Sequence, residues 1–202
     1  ISKYLNHILE FNREERWIRV EPGVVLGDMN KYLAPHKLQF GPETSTANRC
    51  CMGGMLGNNS CGLHSLVHGS VRDHIIEIEA ILSDGSEVTF RELTTDEFRK
   101  KCEGDPQLPE TRIYRHLNEI LSDKGNAALI RKEFPHPDLK RRNNGYALER
   151  EYPAESHNQT IITSGNAVTV TSPSGSASFS SLMNVDTLRL CSTVHCHLRT
   201  SK

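Results

Sequence analysis

The sequence predicts an α+β domain. Two segments, Arg16 to Val20 and Ile75 to Leu82, alternate apolar and polar residues as strands do. Between and after them, apolar residues recur at helical spacing. No G-x-G-x-x-G follows a strand, which disfavours a doubly wound dinucleotide fold.

The elements follow in order. Arg16 to Val20 (RWIRV) is a strand that stops at the turn signal Pro22-Gly23. Leu26, Met29, Tyr32 and Leu33 share one helical face from Leu26 to Ala34, and Pro35 ends that helix. A run from Gly41 to His74, GPETSTANRCCMGGMLGNNSCGLHSLVHGSVRDH, follows. Its small residues, glycine clusters and amides are expected to build no core. Such a run brings bare backbone N–H groups close to a large anionic or aromatic ligand. Ile76, Ile78 and Ala80 then lie on one face of a strand, with Glu77 and Glu79 on the other. Ser83 to Ser86 reads as a two-residue hairpin loop around Asp84-Gly85, and Glu87 to Phe90 is the return strand. Thr94 or Thr95 caps a helix running through Lys101, with acidic residues in its first turn. Glu103 to Glu110 is a loop. Ile113, Leu117, Ile120 and Leu121 form the stripe of a helix from Thr111 to Ser122, and a last helix runs from Ala127 to about Phe134.

Bulk properties narrow the function. The chain has 202 residues and a formal charge of −1, so nothing in its charge points to a nucleic acid or an anionic membrane. No stretch of about 18 apolar residues exists, so no membrane span is expected. The start, ISKYLNHILEFNREERW, lacks the features of a signal peptide and reads as the middle of a longer chain. Six cysteines at low density suit reduced thiols. The expected location is the cytoplasm, with peripheral attachment to a membrane also compatible. After about Tyr152 the composition turns to Ser, Thr, Asn and Gly, and residues 151–202 are expected to be a low-complexity tail, disordered or unrelated to what precedes it.

The glycine-rich run carries the candidate chemistry. Gly53, Gly54 and Gly57 remove side chains where a flat or bulky group must come close. Asn58, Asn59 and Ser60 offer donors and acceptors suited to a pyrophosphate, a ribitol or a ring edge. Gly62 and Gly69 allow positive φ, and Ser70 can cap the next element. With few cations nearby, backbone N–H groups would carry most anion binding. An ordinary glycine-rich connection is the competing reading.

One order of residues is specific: Gly41-Pro42, Cys50, Gly53-Gly54, Asn58-Asn59, Gly62, Gly69-Ser70, Arg72-Asp73, then an apolar strand ending in Ser83-Asp84-Gly85. It resembles the second cofactor loop of the FAD-linked oxidases related to vanillyl-alcohol oxidase and p-cresol methylhydroxylase, nearest the branch that oxidises D-2-hydroxy acids such as D-lactate or glycolate. Downstream, Lys140 to Glu149 (KRRNNGYALE) is similar to an Arg-Arg-Asn-x-Gly-Tyr-x-Leu-Asp element of the larger oxidases of that branch. The resemblance covers about residues 1–150. It implies a partial FAD-binding domain that lacks its N-terminal pyrophosphate loop. Carried over by position, it assigns FAD contacts to Pro42, Thr44, Ser45, Thr46, Cys50, Gly53, Gly54, Asn58, Asn59, Gly62, Gly69 and Ile75. It further implies a flavin-dependent oxidoreductase acting on CH–OH groups, with a small 2-hydroxy acid as substrate and a quinone, cytochrome or iron–sulfur protein as electron acceptor. The family's substrate domain has no counterpart after Arg150, so no catalytic residue is assigned and the chain by itself is expected to be inactive.

Other clusters weigh less. His64 and His68 read as packing residues of the loop, with a base or a flavin attachment point as the alternative. Cys50, Cys51 and Cys61 read as small thiols beside a cofactor rather than redox centres. Cys191, His195, Cys196 and His197 have poor zinc spacing, and no metal site is expected. Lys140, Arg141 and Arg142 suit either an anion clamp or a solvated turn. Two further classes stay open: a non-catalytic FAD-binding fragment, and a small metal or thiol protein.

Overall fold

A computed structural model describes residues 2–82, 84–133, 158–159 and 195–200; for residues 158–159 and 195–199 the description is of the backbone. The architecture is a layer of helices over an antiparallel sheet, as the α+β reading requires. In chain order the elements are β1 (Ile8–Asn12), β2 (Trp17–Val20), α1 (Leu26–Leu33), α2 (Met52–Gly57), α3 (Ser65–His68), β3 (Ile75–Ile81), β4 (Glu87–Arg91), β5 (Leu93–Thr94), α4 (Thr95–Glu103), α5 (Pro109–Ser122), α6 (Lys124–Glu133), β6 (Asn158–Gln159) and β7 (His195–Arg199). Single 3₁₀ turns cover Ala34–His36 and Val71–His74.

The main sheet has the order β1-β2-β7-β3-β4, with every pair antiparallel. Its buried face is made by alternate residues: Ile18 and Val20 of β2, Ile78 and Ala80 of β3, Val88 and Phe90 of β4. Leu26, Met29 and Leu33 of α1 and Tyr114 and Leu117 of α5 complete the same core. Glu77 and Glu79 stay half-buried on the opposite face, as the alternation predicts. Ile76 is only half-buried. The ladder to β7 shifts between Ile75 and Glu77, and Ile75 takes the buried position instead.

Several elements differ from the sequence reading. The strand β1 has no clean alternation and was not predicted; its pairing with β2, from Asn12↔Trp17 to Ile8↔Val20, creates it. The hairpin after β3 is one residue longer than an Asp-Gly loop. Leu82 and Ser86 pair across it through Leu82 N–H to the Ser86 carbonyl, 2.8 Å, and Gly85 sits at φ 87°. Tyr32 lies at the rim of the α1 face, 45% exposed, edge-on to Phe11. The glycine-rich run does contribute to the core: Met52, Met55 and Leu56 are buried on the inner side of α2. Two-glycine spacing hid that helix, because glycine opposes helix formation wherever packing does not override it.

At the chain's far end, residues 195–199, which carry no clear strand signal in the sequence, take part in the sheet. Their backbone forms β7 in the middle of the sheet, Ile18 facing Leu198 on one side and Ile78 facing Cys196 on the other. Two facing strand edges that would otherwise be unpaired supply the reason. The Lys140–Glu149 element, Arg141 and Arg142 with it, and Cys191 lie outside the described residues.

The α4–α5 pair is held by polar contacts at its joints. Thr94 and Glu97 form a reciprocal capping box, Glu97 N–H to Thr94 Oγ1 at 3.3 Å and Thr94 N–H to Glu97 Oε2 at 2.8 Å. The Thr94 backbone N–H, the Arg91 guanidinium and the Thr94 hydroxyl, in that order, hold the Glu97 carboxyl down to about 2. Arg115 donates to the carbonyls of Cys102 at 2.6 Å and Gly104 at 3.1 Å, which satisfies the end of α4. The Tyr114 ring packs edge-on against Phe98, and burial pushes its phenol up.

Two measurements check this account. Thr94→Ala removes the cap and lowers stability by about 1 kcal/mol in urea unfolding. Because the folded-state pKa of Glu97 lies below its ordinary value, its stabilisation is full above about pH 4.5 and is lost as the pH falls toward about 2; carboxyl NMR titration reads this directly. Among the described residues the Tyr114 hydroxyl meets no hydrogen-bond partner, so Tyr114→Phe leaves stability within about 0.5 kcal/mol or raises it.

Candidate functional site

The glycine-rich run is laid against the segment just before α1 by backbone bonds. Leu26 N–H donates to Cys50 O at 3.0 Å and Gly27 N–H to Ala47 O at 2.7 Å. In return Met52 N–H donates to Val24 O at 2.9 Å and Gly53 N–H to Pro22 O at 2.9 Å. Val25 and Cys51 form an isolated antiparallel bridge between them. This seam requires small residues. A Cβ on Gly53 would come within 2.7 Å of the Pro22 side chain. One on Gly62 would lie 1.7 Å from the Glu43 carbonyl oxygen. These glycines therefore serve close approach within the protein. Gly62 in particular does not have the positive φ expected of it, whereas Gly69 does, at 79°.

The second half of the run is fixed by four polar side chains. Asn59 is fully buried, and its Oδ1 accepts the Arg72 N–H at 3.0 Å. Ser65 Oγ accepts the Gly62 N–H at 2.9 Å. Ser70 and Asp73 form a capping box over the Val71–His74 turn, Ser70 N–H to Asp73 Oδ2 at 2.7 Å. The predicted cap by Ser70 is thus present, and Asn59 acts as an internal pin. Ile75, also buried, starts β3 directly behind that turn.

The outward side of the run is different. Residues 44–50 make a short helical turn, Ala47 N–H to Thr44 O at 3.1 Å and Cys50 N–H to Thr46 O at 2.8 Å. Among the described residues the N–H groups of Thr44, Ser45 and Thr46 donate to no backbone carbonyl, as expected at the opening of such a turn. Thr44 Oγ1 lies 3.1 Å from Thr46 Oγ1 and 3.4 Å from Cys50 Sγ, which in turn meets Met55 Sδ at 3.4 Å. Gly54 is exposed at the start of α2, and a Cβ there would touch nothing within 4 Å. Asn58 is exposed at the other end of that helix, its amide 3.4 Å from Ser60 Oγ. Pro42 is buried at the base of the run. His64 pairs with Glu43 at 2.9 Å, and His74 Nε2 lies 2.7 Å from the His68 carbonyl oxygen. The exposed side chains of Leu63, Leu66 and Val67 line the next stretch.

This donor set fits a dinucleotide. A row of backbone amides suits a phosphate without a lysine clamp, and the bare Cα of Gly54 leaves room for a flat ring. The sequence candidates accordingly divide. Thr44, Ser45, Thr46, Gly54 and Asn58 lie outward, and Cys50 sits just beneath them. Pro42, Gly53, Asn59, Gly62, Gly69 and Ile75 set the shape of the run from inside. The sequence reading missed Asn59's inward role and the contribution of Ser65 and Asp73, because nothing in the string distinguishes an inward amide from an outward one. Among the described residues no group of three or more His, Cys, Asp or Glu is placed to hold a metal ion, and no helix is long and apolar enough to cross a membrane.

Residues 1–91 match the family described as FAD binding domain. The chain is 36% identical to a D-2-hydroxyglutarate dehydrogenase of Pseudomonas putida over 148 residues, covering 73% of this chain and 14% of that protein. It is 30% identical over 86 residues to the mitochondrial D-lactate dehydrogenase [cytochrome] 1 of Saccharomyces cerevisiae, covering 43% of this chain and 14% of that one. The chain thus spans about a seventh of the length of these relatives. Among solved structures, a carbohydrate oxidase from Microdochium nivale is similar with a TM-score of 0.41 and 21% identity, over 45% of this chain and 19% of that one.

The two glycines at the ends of the run separate shape from binding. Gly62→Ala is expected to destabilise the fold by at least about 2 kcal/mol, read by thermal unfolding, because backbone must move to admit the methyl. Gly54→Leu keeps the melting temperature and weakens FAD binding about tenfold or more, read by flavin fluorescence titration.

Proposed function

We propose, from the match of residues 1–91 to the family described as FAD binding domain, that this protein is an FAD-dependent dehydrogenase of a D-2-hydroxy acid. The observation that carries the substrate class is the 148-residue similarity to a D-2-hydroxyglutarate dehydrogenase, which runs well past the family segment. D-Lactate, glycolate and D-2-hydroxyglutarate are the substrates to try first. Bound FAD supplies the ring that accepts a hydride from the substrate's α-carbon.

The chain's own residues bind and orient that cofactor. The amides of Thr44, Ser45 and Thr46 would hold its phosphate groups, with the Thr44 and Thr46 hydroxyls as further donors. Gly54 would leave room for its ring system, and Asn58 would offer it a polar contact. Cys50, Gly53, Pro42, Gly62, Gly69, Asn59 and Ile75 hold this cradle in shape, so binding costs little reordering. An electron acceptor of the quinone, cytochrome or iron–sulfur kind then reoxidises the enzyme. The name of the yeast relative, a cytochrome-linked dehydrogenase, supports that choice.

The test is direct. The purified chain is mixed with FAD, freed of excess by gel filtration, and examined by absorbance and fluorescence. Retained flavin with a shifted, quenched spectrum is the expected result, and absence of retained flavin would overturn the cradle assignment. The full gene product is then expected to be bleached by a D-2-hydroxy acid and not by its L-enantiomer; flavin held by the full gene product but never bleached would overturn the substrate class.

A further inference from the structure

The centre of the main sheet is supplied from the far end of the chain. The strand β7 pairs antiparallel with β2 (Trp17↔Arg199 to Val20↔Cys196) and with β3 (Ile75↔Leu198 to Glu79↔His195). Without it, β2 and β3 would each present a row of unpaired N–H and C=O groups to the same gap. Each of those strands keeps a second partner, β1 for β2 and β4 for β3. Their apolar faces also stay packed on a shared core through Ile18, Val20, Ile78 and Ala80. The two hairpins therefore do not depend on β7 for their own pairing. In sequence, β7 is separated from the rest by residues 160–194, a stretch rich in Ser, Thr, Asn and Gly.

Two contacts close over this strand. Arg19 of β2 reaches across to pair with Glu79 of β3, although β7 lies between those strands. Strands two places apart stand roughly 9–10 Å from each other, so the ion pair spans the gap like a bar. The Glu79 hydrogen bond and charge hold the Arg19 guanidinium protonated. At the end of β7, Thr200 is buried and donates to the Arg16 carbonyl twice, through N–H at 2.9 Å and Oγ1 at 3.2 Å.

We propose that the gap between β2 and β3 is a binding slot for one extended peptide strand, and that residues 195–199 of the same chain are its occupant, latched by Arg19–Glu79 and Thr200. Recognition is by main-chain pairing on both sides, the mode by which a sheet accepts an added strand. Because this occupant belongs to the same chain, a free peptide competes with an intramolecular strand and enters only when that strand is broken.

The experiment uses the full chain carrying Cys196→Pro and Leu198→Pro, which removes two ladder donors. A fluorescein-labelled peptide with the sequence of residues 194–200 is titrated by anisotropy. The altered chain is expected to bind it at least about tenfold more tightly than the unaltered chain, and a peptide with the same two prolines is expected not to bind. A folded variant, by circular dichroism, that takes up no peptide overturns the proposal. Should the variant not fold, hydrogen exchange on the unaltered chain decides. Amides of residues 196–199 are expected to exchange at least about tenfold faster than those of the β3–β4 ladder, and faster again in Arg19→Ala. Equal protection of the two ladders overturns the slot.

Discussion

Four backbone hydrogen bonds join residues 22–27 to residues 47–53, and the rest of the site hangs on that seam. They tie the glycine-rich run to the entry of α1, whose inner face is part of the core. They also consume the amides of Leu26, Gly27, Met52 and Gly53, so the amides still free to meet a ligand are those of the preceding turn. At two points of the seam the backbone leaves no room for a side chain: a Cβ on Gly53 would meet Pro22, and one on Gly27 would meet the Ala47 carbonyl. The loop is shaped by its own packing before any cofactor meets it.

That construction explains how a run so poor in apolar residues stays ordered. Met52, Met55 and Leu56 fasten its middle to the core, while Asn59, Ser65 and the Ser70–Asp73 box fix its second half by hydrogen bonds. Buried polar groups are costly unless paired, and here the buried Asn59, Ser65 and Ser70 each find a partner within the run. The outer surface of the 44–58 stretch offers amides, hydroxyls and a bare glycine, the equipment for an anionic, flat ligand. Function and stability are thus divided between two sides of one segment.

The sheet shows the complementary principle. Its two hairpins are local in sequence, but the strand that joins them comes from the opposite end of the chain. Pairing of that strand draws on unmet backbone groups rather than on a strong strand signal of its own. The Arg19–Glu79 pair across it is partly exposed, so solvent screens the attraction and its role is to position rather than to stabilise.

The sequence by itself determined the local elements and the identity of the cofactor. Alternation marked β2 and β3, the Asp-Gly turn placed β4 after them, helical stripes marked α1 and α5, and Thr94 or Thr95 announced the start of α4. The order of glycines, asparagines and Arg72-Asp73 pointed to FAD, and the comparison with known proteins agrees. Tertiary structure alone decided which residues of the run face inward. Asn58 and Asn59 are adjacent and identical in chemistry, yet one is exposed and the other is completely buried. It also decided that α2 is a helix, that β1 is a strand, and that residues 195–199 complete the sheet. Each of those outcomes depends on a partner distant in sequence, and local patterning carries no record of such a partner.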